Sequence, residues 1–210
     1  MFYKTMDGFL GPKVNSRLLA YALSSESKFK KSTIGSTGEH NPKVRVSSLL
    51  HDLRCFQAEF EQQVLALVPG LIKQLGLTPF LATGVETEIA VHGEGAFYNR
   101  HIDLFTGENR NQEADRLISL VYYFYKEPRS FSGGQLRLYP MPGIAHRPDE
   151  QVIDVVPEQD KAIAFSSWMP HEVLPVTCPS GKFSDSRFAI NCWVLRARAT
   201  SCRHEVGLNT

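Results

Sequence analysis

The chain has 210 residues, and its 23 lysine and arginine residues nearly balance 22 aspartate and glutamate residues, giving a formal net charge of +1. This length suits one domain with a substantial core, and no stretch concentrates basic residues as a nucleic-acid-binding surface would. No apolar run resembles a secretion signal or approaches the ~20 residues that span a bilayer, and the four cysteines show no C-x-x-C spacing. We therefore expect a cytoplasmic protein with reduced thiols, no nucleic-acid partner and no membrane association.

The first part of the chain predicts helices. Apolar residues at helical spacing over residues 12–23 predict a short helix, because its leading proline is tolerated in a first turn. Over residues 49–67 apolar side chains recur every three or four positions, which predicts an amphipathic helix of about five turns. We expect Pro69-Gly70 to interrupt this helix and Gly76 to cap a further short one.

The second part predicts strands. After residue 84 the chain consists of β-branched and aromatic runs separated by glycine, proline and asparagine. The runs are ETEIAVH, YNRHIDLF, LISLVYYFY, QLRLY, VIDVV, KAIAFSS and SRFAINCWVL. This order predicts a double-sheet barrel with the helices packed against one face.

The run YNRHIDLF contains a histidine and an aspartate that a metal ion could bind. His101 and Asp103 would project to the same side of a strand, where side chains alternate. A single such pair arises easily by chance and is weak evidence alone. The similar pair in His92-Gly93-Glu94 lies where a strand meets a glycine-rich turn, so the alternation that would aim both side chains together is expected to fail there.

The second half of the chain adds the missing parts of a site. His171 follows the apolar run KAIAFSS, and together with His101 and Asp103 it makes a 2-His-1-carboxylate set, which is typical of non-haem iron(II) oxygenases and leaves open coordination positions. Arg187 begins the alternating run RFAINCW. If Arg187 points into the barrel it requires an acidic partner, and its planar guanidinium fits a carboxylate.

Four quoted segments occur in a familiar order: FYNRHID, LVYYFY followed by SGGQLRLYP, PHEV, and SRFAINCW. Over most of its length the chain resembles the 2-oxoglutarate- and iron(II)-dependent oxygenases, and among them the prolyl-hydroxylase-like branch. The resemblance implies an α+β fold: a double-stranded β-helix (jelly-roll, cupin-like barrel) of mostly antiparallel strands, braced by N-terminal helices. We expect one domain, 1–210, with helical support over 1–84, the catalytic jelly roll over 85–198 and a short tail over 199–210.

The resemblance also implies roles for individual residues. His101, Asp103 and His171 would bind Fe(II), with PHEV as the turn that carries the distal histidine. Arg187 would bind the far carboxylate of 2-oxoglutarate, and Tyr123 matches the position whose hydroxyl assists it.

Three more residues are candidates for the pocket. Asn191 and Trp193 share the face of Arg187 by alternation, and Asn191 could donate a hydrogen bond near the metal or substrate. Tyr98 lies on the ligand strand, where plain packing is the alternative.

The sequence departs from the family pattern in two places. Val91 occupies a position where prolyl hydroxylases of this branch often carry a pocket tyrosine, which leaves the substrate open. The segment TCPSGKFSD lengthens the connection before Arg187 and makes Lys182 a rival cation.

The resemblance implies a dioxygenase that uses Fe(II), 2-oxoglutarate and O2, with ascorbate as a reductant, and releases succinate and CO2. We expect hydroxylation of a prolyl or similar residue in a peptide or protein; the alternatives are a free amino acid or small metabolite, and a non-catalytic β-barrel binding module. Asp103 stands where related halogenases have a small residue, so hydroxylation is favoured over halogenation. The polar segments 30–43 and 106–116 are candidate lids.

Overall fold

The computed structural model describes residues 3–33, 39–104, 114–140 and 151–198. Its helices are α1 (Pro12–Ser24) and α2 (Gln57–Gln74). Its strands are β1 (Tyr3–Asp7), β2 (Lys30–Lys31), β3 (Arg45–Val46), β4 (Ser48–Leu50), β5 (Gly84–His92), β6 (Phe97–His101), β7 (Ala114–Phe124), β8 (Ser132–Gly133), β9 (Leu136–Leu138), β10 (Ile153–Val155), β11 (Lys161–Ser166), β12 (His171–Val173), β13 (Val176–Thr177) and β14 (Arg187–Ala197). Residues 34–38 of the first candidate lid, residues 106–113 of the second and the tail from 199 lie outside the described residues.

The strands form two main sheets. The larger has the order β1-β11-β7-β14-β5-β4-β2, the smaller has the order β10-β9-β12-β6-β3, and β13 and β8 form a separate pair. Every pairing between described strands is antiparallel. The predicted antiparallel architecture is confirmed, although the two sheets do not close into a continuous barrel.

Strand alternation divides the larger sheet into two faces. Phe188 and Ile190 of β14 point to the helices, whereas Ala189 points to the smaller sheet. The core on the helical side includes Leu18, Phe60, Val64, Ile89 and Tyr122, and the core between the sheets includes Tyr123, Leu136, Leu138, Ile163 and Phe165. Burial of these apolar faces fixes the register, because a slip by one residue would exchange the two faces.

The predicted helix over 49–67 is wrong at its beginning. Ser48–Leu50 is a strand that pairs with β5, and the α-helix begins at Gln57 after a 3-10 turn at Arg54–Phe56. A carboxylate oxygen of Asp52 accepts the backbone N–H of Arg54 at 2.8 Å, which turns the chain away from the strand. The apolar spacing therefore continues across two elements, because Leu50 of β4 and the apolar face of α2 pack in the same core.

The predicted interruption at Pro69-Gly70 is also wrong, since α2 continues to Gln74 with Pro69 inside it. The proline faces solvent, while Val68 and Leu71 on either side are buried. Burial of that stripe outweighs the loss of one backbone hydrogen bond. Gly76 ends the helix as predicted, with φ of +66° and a Leu77 N–H to Ile72 carbonyl bond of 3.0 Å.

The N-terminal part supplies more than helices. The strand β1, which the sequence did not predict, adds an edge to the larger sheet by pairing with β11. The short strands β2 and β4 extend the same sheet at its other edge, and β3 joins the smaller sheet. None of the described helices is long and apolar enough to cross a membrane.

Candidate metal and cosubstrate site

Three side chains from two distant parts of the chain converge between the sheets. The ligand atoms of His101, Asp103 and His171 all lie within 4.8 Å of one another. His171 lies directly opposite His101 in the pairing of β12 with β6. The segment PHEV is therefore not a turn as predicted, because His171 begins a strand and the sheet itself places the two histidines side by side.

Both histidines present the same nitrogen to the shared space. The Nδ1 of His101 lies 2.8 Å from the carbonyl of Asn99, and the Nδ1 of His171 lies 2.8 Å from the carbonyl of Met169. A carbonyl only accepts, so each Nδ1 carries a proton, and Nε2 is the nitrogen that each ring offers to a metal. These nitrogens lie 3.7 and 3.5 Å from the oxygens of Asp103, so the donor set suits a divalent metal such as Fe(II).

Asp103 is held by groups that the sequence did not identify. The Ser119 hydroxyl donates to Oδ2 of Asp103 at 2.6 Å, and the backbone N–H groups of Asp103 and Leu104 both donate to the carbonyl of Ser167. The predicted strand through Phe105 is wrong, because β6 ends at His101 and Asp103 lies in a bend. Asp103 reaches the histidines because the carbonyl of Ser167 accepts hydrogen bonds from the bend at residues 103–104. Strand alternation does not continue to this residue.

Burial and mutual charge set the ionisation of the site. Burial, followed by the neighbouring His171, lowers the pKa of His101 to about 3, so its imidazole is neutral near pH 7. Burial alone would raise the pKa of Asp103, but His171 and His101, with hydrogen bonds from Ser119 and Trp193, lower it overall. A neutral imidazole at His101 and an ionised carboxylate at Asp103 are the protonation states that bind metal.

A cavity of about 600 Å3 contains the triad and extends to Arg187. Arg187 is 1% exposed, its guanidinium carbon lies 4.9 Å from the centre of the Tyr123 ring, and its NH1 lies 3.2 Å from Nδ1 of His92. Within the described ranges no carboxylate forms an ion pair with it. Lys182, the rival cation, is exposed.

Three buried polar atoms at this end have no hydrogen-bond partner among the residues that the structure describes: Nε of Arg187, the hydroxyl of Tyr123 and Nε2 of His92. Burial raises the pKa of the Tyr123 hydroxyl, so it stays protonated at neutral pH. Unpartnered buried donors are costly, and a buried arginine without a counter-charge more so. The residues therefore fit a ligand carboxylate such as that of 2-oxoglutarate.

The sequence suggested that Val91 borders the pocket, but the next residue, His92, does so instead. Val91 packs in the core on the helical side, whereas His92 lines the cavity. The side chain that faces Arg187 at this strand end is thus a histidine, and Val91 does not border the pocket. His92 is not one of the clustered metal-ligand residues.

The other candidate residues all line the cavity. The ring of Tyr98 stacks on His101 with a centroid distance of 3.6 Å. The amide of Asn191 donates to Glu88 at 3.0 Å, and Glu88 also pairs with Arg45 at 3.3 Å, a buried pair that the sequence did not suggest. Trp193 lies under the guanidinium of a neighbouring arginine.

The model of the 2OG-Fe(II) oxygenase superfamily matches residues 87–195, about half of the chain. The chain belongs to this superfamily. For this 2OG-Fe(II) oxygenase the matched range contains the triad and Arg187, and membership implies Fe(II), 2-oxoglutarate and O2 as cofactor and cosubstrates.

Individual proteins are similar over most of this 2OG-Fe(II) oxygenase. An uncharacterized PKHD-type hydroxylase of Synechocystis sp. is 33% identical over 198 residues, which are 91% of this chain and 62% of the relative, so the chain spans less than two thirds of that protein. A prolyl-4-hydroxylase of Pseudomonas putida has a TM-score of 0.65 at 24% identity, covering 94% of this chain and 93% of that one. A Trichoplax adhaerens prolyl hydroxylase, solved with a hypoxia inducible factor peptide fragment, has a TM-score of 0.65 at 24% identity and covers 92% and 83%. These likenesses confirm the predicted jelly-roll fold.

Proposed function

We propose that this oxygenase hydroxylates an unactivated C–H bond of a prolyl or similar residue in a peptide or protein. The observation that carries the proposal is the presence, in one cavity, of a 2-His-1-carboxylate set and a buried arginine without a carboxylate partner. A metal site alone would not require the arginine, and an arginine alone would not require the metal site. Together they match a metal that binds a dicarboxylic 2-oxo acid.

In this proposal each residue has a separate task. His101, Asp103 and His171 hold Fe(II) through two Nε2 lone pairs and a carboxylate oxygen. Arg187 and the Tyr123 hydroxyl bind the far carboxylate of 2-oxoglutarate and thereby orient its other end toward the metal. When bound, iron would activate O2 and couple this step to the conversion of 2-oxoglutarate to succinate and CO2.

The surroundings of the triad suit a dry reaction space. Tyr98 covers one face of His101, and Phe165 packs edge-on against His171 at 4.8 Å. These rings keep water from the two ligating imidazoles and hold their orientation. Trp193 and the Arg45–Glu88–Asn191 group line the rest of the cavity, and we propose that they contact the substrate.

The prolyl assignment draws on the relatives. The structurally similar proteins from Pseudomonas putida and Trichoplax adhaerens are prolyl hydroxylases, and the second was solved with a peptide. A second candidate is a free amino acid or small metabolite, because a cavity of about 600 Å3 lies within the range of pockets that enclose small ligands.

Succinate formation from 2-oxoglutarate tests the reaction class. We expect the protein loaded with Fe(II) to release succinate under air, and the His171→Ala variant to release at least about 100-fold less, because a ligand is lost. If the protein neither retains added Fe(II) nor releases succinate, the enzyme assignment fails and the binding module remains.

Mass spectrometry then separates the substrate classes. The same loaded protein is incubated with a proline-containing peptide library and, separately, with free amino acids and metabolites. A gain of one oxygen on a proline of a peptide supports the first candidate. A gain only on a free small molecule would exclude the peptide assignment while leaving the reaction class intact.

A further inference from the structure

His92 lies beside Arg187 in the cavity lining and is not used by the roles given above. It is the last residue of β5, directly opposite Arg187 in the pairing with β14. It is only 3% exposed and lines the cavity. A buried polar side chain in this position must either support its neighbour or bind what enters the cavity.

The contact with Arg187 determines where the proton of His92 resides. Arginine carries only donors, so the Nδ1 that lies 3.2 Å from NH1 of Arg187 must be the acceptor. Burial, with Arg187 and Arg45 nearby, lowers the pKa of His92 well below its usual value. The ring is therefore neutral, and its single proton is on Nε2.

That proton has no acceptor among the described residues, because Nε2 is buried and unpartnered. The Tyr123 hydroxyl and the Nε of Arg187 are unpartnered at the same end of the cavity. A group of unsatisfied donors beside a buried cation requires a ligand with acceptors and negative charge. A carboxylate has both, whereas water or an amine would leave either the charge or the donors unmatched.

We propose that His92 is a cosubstrate-binding residue whose Nε2–H donates to the far carboxylate of 2-oxoglutarate, alongside Arg187 and Tyr123. The inference rests on the proposed function, since it takes 2-oxoglutarate as the ligand. It assigns His92 two contacts: Nδ1 accepts from Arg187 and orients it, while Nε2 holds the carboxylate directly.

Two substitutions separate these contacts. In His92→Gln the amide reaches the position of Nε2 and can donate there, but the acceptor near Arg187 is lost. In His92→Asn the amide lies at the position of Nδ1, so the carbonyl can still accept from Arg187 while the donor toward the cavity is lost. A residue that only supports Arg187 would tolerate asparagine better than glutamine.

The measurement is calorimetric titration of 2-oxoglutarate into protein loaded with Mn2+, which binds the same ligands without turnover. We expect His92→Asn to raise the Kd by about 10- to 100-fold, as for a lost hydrogen bond to a charged group, and His92→Gln to stay closer to the wild type. A smaller effect of asparagine than of glutamine, or no effect of either, would overturn the inference.

Controls keep this outcome separate from other failures. Mn2+ affinity without 2-oxoglutarate and the melting temperature report whether each variant retains its metal site and fold. His40→Gln, at an exposed histidine outside the cavity lining, should match the wild type throughout. If the wild-type protein itself fails to bind 2-oxoglutarate, the proposed function fails, whereas normal wild-type binding with unaffected variants rejects only the role of His92.

Discussion

At the scale of single residues, the triad depends on which nitrogen each histidine offers. His101 and His171 both donate Nδ1–H to a carbonyl two residues earlier, and this bond directs Nε2 to the shared space. The tautomer of His92 is also set by a neighbour, but that neighbour is Arg187. The Nδ1 of His92 is therefore the acceptor, and its Nε2 carries the proton. His92 thus differs in chemistry from His101 and His171 because its Nδ1 accepts from an arginine, whereas theirs donate to a carbonyl.

Metal binding should distinguish these histidines. His101→Ala should abolish binding of one Mn2+ per chain, because only two of the three ligands remain. His92→Ala should leave the Kd for Mn2+ within about threefold of the wild type. Titration calorimetry in the absence of 2-oxoglutarate measures both constants. The reverse result would move the metal site to His92 and Glu94.

His92 and His101 should also make the metal-free protein sensitive to acid. Their pKa values are lowered on folding, to about 3 for His101, so between about pH 6.5 and 3 the unfolded chain binds protons that the folded chain does not. Stability should be constant above that range and fall as the pH decreases through it, by about 1.4 kcal/mol per pH unit for each such histidine. Urea unfolding at pH 5.5 to 7.5 measures the slope, and His92→Gln should make it shallower. Equal stability across the range would contradict the burial of neutral rings.

At the scale of elements, the connection before β9 approaches the arginine closely. Gly134 has φ of +67°, and a Cβ there would lie 2.7 Å from Cδ of Arg187 and 2.9 Å from a methyl group of Val176. The sequence predicted a tight connection at Ser132-Gly133-Gly134, but not this contact. The glycine allows the β8–β9 connection to cover the arginine without displacing it.

The substitution Gly134→Ala should therefore strain the backbone and also displace Arg187. Gly95 has nearly the same φ of +68° with no atom within 4 Å of an added Cβ, so Gly95→Ala should cost only the left-handed penalty of about 1–2 kcal/mol. Gly134→Ala should cost more and also raise the Kd for 2-oxoglutarate, because Arg187 must shift. Urea unfolding and calorimetry measure the two effects. Equal losses of stability with unchanged 2-oxoglutarate affinity would show that the contact is unimportant.

At the scale of the whole molecule, the larger sheet connects the helical core to the site. Its β14 strand buries Phe188 and Ile190 against the helical side and presents Arg187, Asn191 and Trp193 to the cavity. Any ligand that satisfies the unpartnered donors should therefore stabilise the entire fold through this strand.

A ligand that binds only the folded state should raise global stability by mass action. With Mn2+ bound, 2-oxoglutarate at about 100 times its Kd should add about 2.7 kcal/mol to the free energy of unfolding. Arg187→Lys, tested at the same ligand concentration, should lose most of this gain because lysine lacks the planar pair of donors. Urea unfolding with and without 2-oxoglutarate gives both values, and an equal gain in the lysine variant would argue against Arg187 as the carboxylate partner.

Local patterns were sufficient to predict much of this molecule. Alternation in RFAINCW predicted which side chains of β14 share the face of Arg187, and Gly76 predicted a helix end. Periodicity failed where an element begins or ends. The stripe over 49–67 crosses from a strand into a helix, since apolar residues of both elements pack in the same core.

The sequence by itself determined the ligand types, their order along the chain and the face that each strand presents, because these depend on side-chain chemistry and on the period of two. The tertiary structure decided how the ligands meet. The Ser167 carbonyl accepts hydrogen bonds from the bend that carries Asp103, and the pairing of β6 with β12 places His171 opposite His101. It also turned His92, rather than Val91, toward Arg187. These contacts depend on which distant segment supplies the hydrogen-bond partner. A hydrogen bond between remote segments produces no periodic pattern in the sequence, so the sequence could not predict it.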